Sequence, residues 1–395
     1  MKITVPEGTR DHLPRAAEQR ARMMARLSSL YAAWGYQAVE VPVLEHYRPQ
    51  HPRAAQAFKL TDAGGELLAL RSDFTPALAR LVHAAWPSVA DPEAEARPVR
   101  LQYAGPVWHA TMPELARTRE FTQVGVELVG ARHPRADAEL IHLARESVRA
   151  VGLRPRVEIG SPGLVKALMD EAGVAAPARP ALADAIDRKD PHDVERMSRD
   201  LGLAGAAADA LRAVPDLYGG PDLMREAERL AVGPASSAAL AHLAGVLAEF
   251  EDDTELLLDL GMARRLAYYT GVTFRAYTVD FGKPLLGGGR YDGALLPYAA
   301  GFALGLERLT DALGEPAGGD ALRVLATDDA AARLLRAAGI EVLRAVAEEP
   351  AAARTEARAL GAAWLLTPAG LEAVSDDVDA AERARLRGLL EGDDA

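Results

Sequence analysis

The feature that most constrains the fold is a series of strand-like segments that follow one another with no helix between them. Residues 36–45 alternate partly and are rich in β-branched side chains, which predicts a strand. Residues 98–130 are typical of two long strands around an irregular loop, and two shorter strands meet at residues 62–65, where Gly64 and Gly65 supply the positive φ of a tight turn. Since parallel strands need a crossover connection, this order favours an antiparallel or mixed sheet over a doubly wound parallel one.

Amphipathic segments alternate with these strands. Apolar residues recur every three or four positions in residues 18–34, which predicts a helix that Gly35 ends. Further helices are predicted at residues 76–86 and 136–151. We therefore expect an α+β fold in which an antiparallel sheet is flanked by helices.

The composition changes in the second third of the chain. Residues 161–257 are alanine-rich and predicted to be helical, and we interpret them as a helical insertion. Strand-like sequence returns at residues 271–280, followed by a predicted turn at residues 287–289 and a predicted buried helix at residues 301–313.

A length of 395 residues favours two domains, because single cores stop growing near ~250–300 residues. We predict a first domain of residues 1–313, a linker at residues 314–321 and a small C-terminal α/β module at residues 322–395. This module contains three short apolar runs separated by helical stretches, at residues 323–327, 341–346 and 362–367.

The composition excludes several kinds of site. The chain has no cysteine, which excludes disulfides, thiolate nucleophiles and cysteine-ligated metals and fits a cytoplasmic protein. No basic segment with an apolar core begins it and no run of ~18 apolar residues occurs, so we expect neither export nor a membrane span. The net charge of −12, with only five lysines, argues against nucleic acid as a partner.

Three separated segments resemble, in order, the three motifs of a class II aminoacyl-tRNA synthetase, and their details resemble the histidyl enzyme. The resemblance spans roughly residues 6–313 and implies an antiparallel sheet and self-association, as a dimer or higher, through motif 1. The opening segment is residues 6–11, motifs 1 to 3 correspond to residues 35–45, 100–127 and 301–309, and the two histidine-specific segments are residues 264–271 and 287–292.

By position, the resemblance implies a pocket for histidine. An amino acid offers an ammonium, a carboxylate and here an imidazole, each of which needs a complementary partner. The candidate histidine-binding residues are Asp73, Thr75, Gln123, Glu127, Arg264, Tyr268 and Tyr269. The alternative is structural, because an aspartate before a helix is commonly an N-cap and a tyrosine pair is commonly half-buried packing.

The ATP chemistry of a synthetase is missing from the corresponding positions. Motif 2 of that family carries Arg-x-Glu after the strand, whereas this chain has His109 and Thr111 there. A histidine lacks the guanidinium fork, and a threonine offers no carboxylate. Ala267 and Arg275 also replace acidic residues of the family.

Some cationic residues remain as candidates for residual nucleotide or phosphate binding. They are Arg117, Arg119 and Arg308, each of which is equally compatible with a solvated arginine. The histidines show no metal-ligand spacing, and residues 287–289 lack the Gly-Lys-Ser/Thr ending of a phosphate loop, so we expect no metal and no cofactor.

The C-terminal module is acidic. Residues 322–395 contain nine arginines, no lysine and fourteen acidic residues, which opposes binding to tRNA. The pattern therefore resembles a non-catalytic branch of the histidyl family that serves ATP phosphoribosyltransferase, the first enzyme of histidine biosynthesis, as a regulatory subunit.

In that interpretation the partner is the short-form catalytic subunit, which carries the catalysis, and histidine is an allosteric ligand that signals feedback inhibition. A divergent histidyl-tRNA synthetase and a ligase or amidating enzyme for another amino acid are the alternatives. Only the first interpretation explains why the histidine pocket is kept while the ATP site is lost.

Overall fold

A computed structural model describes residues 4–49, 54–94, 97–110, 118–250, 255–263, 268–314, 322–374 and 379–391. The chain divides into two compact units, Met1–Pro316 and Ala317–Ala395, and each is described by itself.

In the first unit, the helices of the described residues are α1 Pro14–Ala33, α2 Thr75–Ala85, α3 Pro134–Ala150, α4 Pro162–Glu171, α5 Arg179–Asp187, α6 Pro191–Asp200, α7 Ala206–Ala213, α8 Met224–Ala227, α9 Pro234–Leu247 and α10 Leu306–Leu313. The strands are β1 Gln37–Ala38, β2 Leu44–His46, β3 Lys59–Thr61, β4 Leu67–Leu70, β5 Val99–Trp108, β6 Glu120–Val129, β7 Pro155–Gly160, β8 Tyr218–Gly219, β9 Leu256–Asp259, β10 Thr273–Thr278, β11 Phe281–Arg290 and β12 Ala299–Gly305.

A mixed sheet organises this unit. Within the described residues it has nine strands, in the order β1-β5-β6-β12-β11-β10-β7-β9-β8. The six strands from β5 to β7 are joined by antiparallel pairings, and the parallel pairings are β1 with β5 and β7 with β9. The predicted α+β class, with an antiparallel sheet flanked by helices, is confirmed.

One face of the central strands carries the main hydrophobic core. Val124 and Val126 of β6 and Phe302 of β12 pack in one cluster with Leu27 of α1 and Leu140 of α3. Because side chains alternate along a strand, residues 123, 125 and 127 face the opposite side of the sheet. Helix α2 packs on part of that second face, where Ala79 and Val82 cluster with Val129 of β6.

One prediction in this unit is wrong, and a second is correct only for its later part. The predicted turn at residues 287–289 lies inside strand β11, and the predicted helix at residues 301–313 is strand β12 followed by α10. At Gly288 an added Cβ would overlap the backbone of Gly301 and Phe302, so these glycines permit close packing rather than a turn. A short apolar run does not distinguish a buried strand from a buried helix.

The predicted strand at residues 36–45 is divided. The structure has β1 and β2 with an irregular segment between them, in which the carbonyls of Val41 and Pro42 accept hydrogen bonds from the Arg71 guanidinium. Strand β2 belongs to a small sheet of order β2-β4-β3. The predicted turn at residues 62–65 of this sheet is confirmed, with Gly65 at a φ of 85°, but Gly64 does not have the predicted positive φ.

The second unit has parallel strands with helices on both faces. Its strands are β13 Arg323–Ala326, β14 Glu341–Arg344, β15 Trp364–Thr367 and β16 Gly370–Ala373, and its helices are α11 Asp329–Ala337, α12 Pro350–Ala359 and α13 Ala380–Glu391. The sheet order is β14-β13-β15-β16, with the first three strands parallel and β16 antiparallel. The small α/β module is confirmed, although β16 was not predicted.

None of the helices in the part of the chain that the structure describes is both long enough and apolar enough to cross a membrane.

Candidate functional site

Small residues lie at the centre of the second face of the central sheet, opposite the main core. Gly125 of β6 and Gly301 of β12 lie on this face, in register with Ala303 and Glu127 respectively. A Cβ at Gly125 would lie 2.5 Å from the Tyr103 hydroxyl, and one at Gly301 would overlap the Glu127 carboxylate. The glycines therefore make room for polar side chains that lie flat against the sheet.

Glu127 is the central acidic group of this face. Glu127 is only 3% exposed to solvent. The Thr75 hydroxyl donates to Oε1 at 2.9 Å, and the Tyr291 hydroxyl donates to Oε2 at 2.7 Å. A buried carboxylate held by two hydroxyls is positioned rigidly, because each oxygen has a fixed partner.

Burial makes the Glu127 carboxylate difficult to ionise. Its pKa rises from 4.5 to about 7, mainly because burial penalises the charged form. The hydrogen bonds from Tyr291 and Thr75 lower this pKa, whereas the nearby Asp73 carboxylate raises it. A cationic ligand group beside Glu127 would favour the ionised form and would compensate for the missing solvent.

Asp73 lies in the turn that precedes α2. Its Oδ1 accepts a hydrogen bond from the Thr75 backbone N–H at 3.4 Å. The N-cap residue of α2 is Phe74, whose side chain makes no capping bond, so Asp73 helps to fix the turn that presents Thr75. The half-buried Asp73 carboxylate also acts electrostatically on Glu127. Asp73, Thr75 and Glu127 are thus brought together.

Two tyrosine rings, those of Tyr291 and Tyr268, lie beside Glu127, and a third contacts Tyr268. Tyr268 stacks on Tyr291, with ring centroids 5.3 Å apart and an interplanar angle of 18°. Tyr269 meets Tyr268 edge-on, with centroids 5.0 Å apart. Burial, and then the charges of Glu127 and Asp73, raise the pKa of Tyr268, so its hydroxyl stays protonated and able to donate.

Gln123 lies on the same face of β6 as Glu127. It is half-buried and in register with Gly305 of β12, where a Cβ would meet nothing within 4 Å. Four residues of strand separate the Cα atoms of Gln123 and Glu127 by about 13 Å. Gly125, against which the Tyr103 hydroxyl lies, separates these two polar side chains.

Three of the residues singled out from the sequence, Arg264, Arg117 and Thr111, lie outside the described residues. The structure describes Arg119 and Arg308 and gives each a contact with a neighbouring residue. The guanidinium of Arg119 lies 4.8 Å from the centre of the Phe58 ring. Arg308 is exposed and donates from Nη1 to the Pro284 carbonyl at 2.9 Å. These contacts give both arginines a structural role. Nucleotide binding by either arginine stays a prediction.

Tyr103 and Tyr291 belong to the site but were not among the predicted residues. Tyr103 is 4% exposed, and burial followed by the charge of Glu127 raises its pKa well above the usual value. Tyr291 lies in the histidine-specific segment at residues 287–292, which was the available signal. No sequence signal identified Tyr103, because its role depends on the strand register that places it beside Gly125.

Arg290 anchors the end of β11 on the core side. It is 4% exposed, and its Nε donates to the two carboxylate oxygens of Asp137 at 3.1 and 3.0 Å. Asp137, on α3, also contacts Nε2 of His242 on α9 at 2.5 Å. Since Tyr291 follows Arg290 directly, this buried network fixes the residue that bonds to Glu127.

Among the described residues there is no group of three or more histidine and carboxylate side chains that could hold a metal ion. The described polar groups of the cleft are a buried carboxylate, a second carboxylate nearby, hydroxyl donors and an amide. This set suits a small ligand with a cationic group and further hydrogen-bonding atoms.

Comparison with known proteins gives this arrangement a family. A family model for histidyl-tRNA synthetase matches residues 8–309. The ATP phosphoribosyltransferase regulatory subunit of Thermus thermophilus is 46% identical over 325 residues, which cover 82% of this chain and 87% of that protein. The regulatory subunit of Deinococcus radiodurans is 43% identical over 362 residues, covering 90% and 87%.

Solved structures agree. A Bacillus halodurans C structure described as an ATP phosphoribosyltransferase regulatory subunit/histidyl-tRNA synthetase has a TM-score of 0.76 and 28% identity, covering 90% of this chain and 97% of that one. Histidyl-tRNA synthetase from a Nostoc species has a TM-score of 0.77 at 17% identity, covering 98% and 99%, and shows the shared fold. The chain belongs to the family of ATP phosphoribosyltransferase regulatory subunits, which have the fold of histidyl-tRNA synthetase.

Proposed function

We propose that this chain is a non-catalytic regulatory subunit of ATP phosphoribosyltransferase that binds histidine in the cleft around Glu127. Its partner is a short-form catalytic subunit, which requires this chain for activity and carries the catalytic residues. Histidine, the end product, binds here and inhibits the complex. The names of the relatives support the regulatory role, and the remaining steps are argued from the cleft.

The observation that carries the proposal is the buried Glu127 carboxylate between two hydroxyls. The Thr75 and Tyr291 hydroxyls occupy one lone pair on each oxygen, at 2.9 and 2.7 Å, so the other lone pairs can accept from a ligand. An imidazole N–H or an ammonium supplies such donors, and Asp73 adds a second negative charge. Arg264 is proposed to bind the ligand carboxylate.

The proposed loss of catalysis is argued from His109, which lies at the position where the synthetase family binds the phosphate of ATP. His109 takes the position of the arginine in the motif 2 pair, and its Nε2 lies 3.0 Å from the Ser72 carbonyl. It is therefore engaged by the protein, and it lacks the bidentate fork that suits a phosphate. The acidic C-terminal unit likewise disfavours tRNA.

Regulation requires two arrangements of the assembly that differ in histidine affinity. We propose that the chain self-associates as a dimer or higher through the segment at residues 35–45 and that catalytic subunits join this oligomer. Histidine then shifts the complex toward the inhibited arrangement by binding it more tightly. The size of that shift is bounded by the difference between the two affinities.

The test compares two variants with the same chemical change. Glu127→Gln removes the cleft carboxylate, whereas Glu139→Gln removes a carboxylate that also accepts from a tyrosine, Tyr36, at 2.9 Å but on α3. Titration calorimetry with L-histidine should give clear binding for the wild type and Glu139→Gln, and at least tenfold weaker binding for Glu127→Gln. Phosphoribosyl transfer by the catalytic subunit should need the chain and should lose histidine inhibition only with Glu127→Gln.

The alternative is a divergent histidyl-tRNA synthetase, which the family model favours. Charging of tRNA with histidine by the purified chain would support it and would contradict the proposed role. Activity of the catalytic subunit that is the same with and without the chain would also contradict that role. Equal histidine binding by the wild type and Glu127→Gln would remove Glu127 from the pocket while leaving the regulatory role standing.

A further inference from the structure

His109 connects two parts of the first unit that are distant in sequence. It follows the end of β5, and its backbone N–H donates to the Arg119 carbonyl at 2.8 Å, where the β5–β6 hairpin meets its connecting loop; residues 105–110 at this end are called the hairpin base. Its ring lies edge-on to the Phe121 ring, with centroids 5.0 Å apart. Its Nε2 lies 3.0 Å from the backbone carbonyl of Ser72.

Ser72 begins the turn that presents the cleft residues. Ser72 and Thr75 are 6% and 7% exposed, and the Thr75 hydroxyl bonds to Glu127. The residue before the turn, Arg71, is held by its backbone, whose N–H donates to the Val43 carbonyl at 2.8 Å and whose carbonyl accepts from Trp108 at 3.0 Å. The backbone hydrogen bonds thus hold Arg71, whereas the His109 ring holds Ser72, which is one residue nearer in the chain to Thr75.

The chemistry of the contact defines its direction. A carbonyl oxygen only accepts, so Nε2 of His109 carries a hydrogen and donates. Both the neutral tautomer protonated at Nε2 and the imidazolium ion satisfy this requirement. The His109 ring therefore acts as a brace on the Ser72 carbonyl.

We propose that His109 is a positioning residue for the histidine cleft, which braces the Ser72–Thr75 turn from the base of the β5–β6 hairpin. This inference rests on the proposed binding of histidine around Glu127. Through the brace, the order of the turn and the order of the hairpin base are linked, so occupancy of the cleft stabilises both. The hairpin base thereby reports occupancy of the cleft.

Two variants separate the donor from the ring. His109→Phe keeps an aromatic ring beside Phe121 and removes the donor, whereas His109→Gln removes the ring and keeps an N–H group at a similar reach. Histidine affinity is measured by calorimetry on the full chain. The brace predicts that affinity falls about three- to tenfold in His109→Phe, the effect of one hydrogen bond, and that His109→Gln restores most of it.

Hydrogen exchange of the wild-type chain adds a readout that does not depend on a variant. Saturating L-histidine should slow amide exchange both in the turn at residues 72–75 and at the hairpin base, residues 105–110. In His109→Phe the protection of the turn should remain while that of the hairpin base is lost. Protection confined to the turn in the wild type would overturn the proposal.

The failure of this inference is distinguishable from that of the proposed function. If the wild type binds no histidine, the proposed function fails first. If the wild type binds histidine and His109→Phe binds it equally well, the brace is refuted while the cleft stands. Weaker binding by His109→Gln than by His109→Phe would assign the effect to ring packing and would also refute the brace.

Discussion

Glu127 should make the stability of the free protein depend on pH in a direction opposite to that of most carboxylates. Burial raises its pKa from 4.5 to about 7. Each pKa unit corresponds to about 1.4 kcal/mol, so ionisation of Glu127 costs the folded state about 3 kcal/mol. Between these two pKa values the folded state binds more protons than the unfolded state. The stability from this residue is therefore full below pH 4.5, falls as pH rises and levels off above about pH 7.

Glu127→Gln isolates this effect. The amide is neutral at every pH, and the Thr75 and Tyr291 hydroxyls can each donate or accept, so both hydrogen bonds can persist. Relative to the wild type, the variant should gain about 2.5 kcal/mol of unfolding free energy between pH 5 and pH 8. Glu139→Gln, at a carboxylate outside the cleft, should show no comparable gain.

Denaturant unfolding at both pH values measures the difference. Trp364 lies in the second unit, so its replacement by phenylalanine in every protein leaves tryptophan fluorescence to report on the first unit alone. Other titrating groups contribute equally to wild type and variant and cancel in the comparison. A difference between wild type and Glu127→Gln that is the same at pH 5 and pH 8, within about 0.5 kcal/mol, would refute the raised pKa.

Three further changes test the surroundings of Glu127. Tyr291→Phe removes the 2.7 Å hydrogen bond that lowers the pKa of Glu127, so this pKa should rise further, detected as a pH profile of histidine binding displaced to higher pH. Gly301→Ala should weaken histidine binding at least tenfold because its Cβ overlaps the Glu127 carboxylate, whereas Gly305→Ala, which meets nothing within 4 Å, should bind like the wild type in calorimetry. Arg290→Ala removes the guanidinium from its buried partner Asp137, which then keeps its contact with His242, and should lower the unfolding free energy by about 3–5 kcal/mol in denaturant titrations; a loss below about 1 kcal/mol would contradict the buried network.

Much of the fold was predictable because its signals are local. The periodicity of residues 18–34 predicted α1, which the structure extends to Pro14–Ala33, and the glycine pair at residues 64–65 predicted a turn that is confirmed. The succession of strands correctly favoured an antiparallel sheet, since hairpins need only short connections. The errors at residues 287–289 and 301–313 came from glycine-rich apolar segments, whose conformation depends on the strands packed beside them.

The candidate site was likewise predictable from the sequence only in part. The resemblance identified Asp73, Thr75 and Glu127 from sequence, and the structure brings these three together. The histidine-binding role of the predicted residues remains a proposal, and Arg264 lies outside the described residues.

By itself, the sequence determined which chemical groups the protein has. The chain has no cysteine, a histidine stands in place of a phosphate-binding arginine, and the C-terminal segment is acidic. Only the tertiary structure decided what those groups do to one another. The raised pKa of Glu127 arises from burial, the hydrogen bond that partly lowers it comes from a tyrosine 164 residues away in the chain, and the His109 contact with Ser72 spans 37 residues. Such effects depend on distance and solvent exclusion, which are set by packing between segments and not by the order of residues within them.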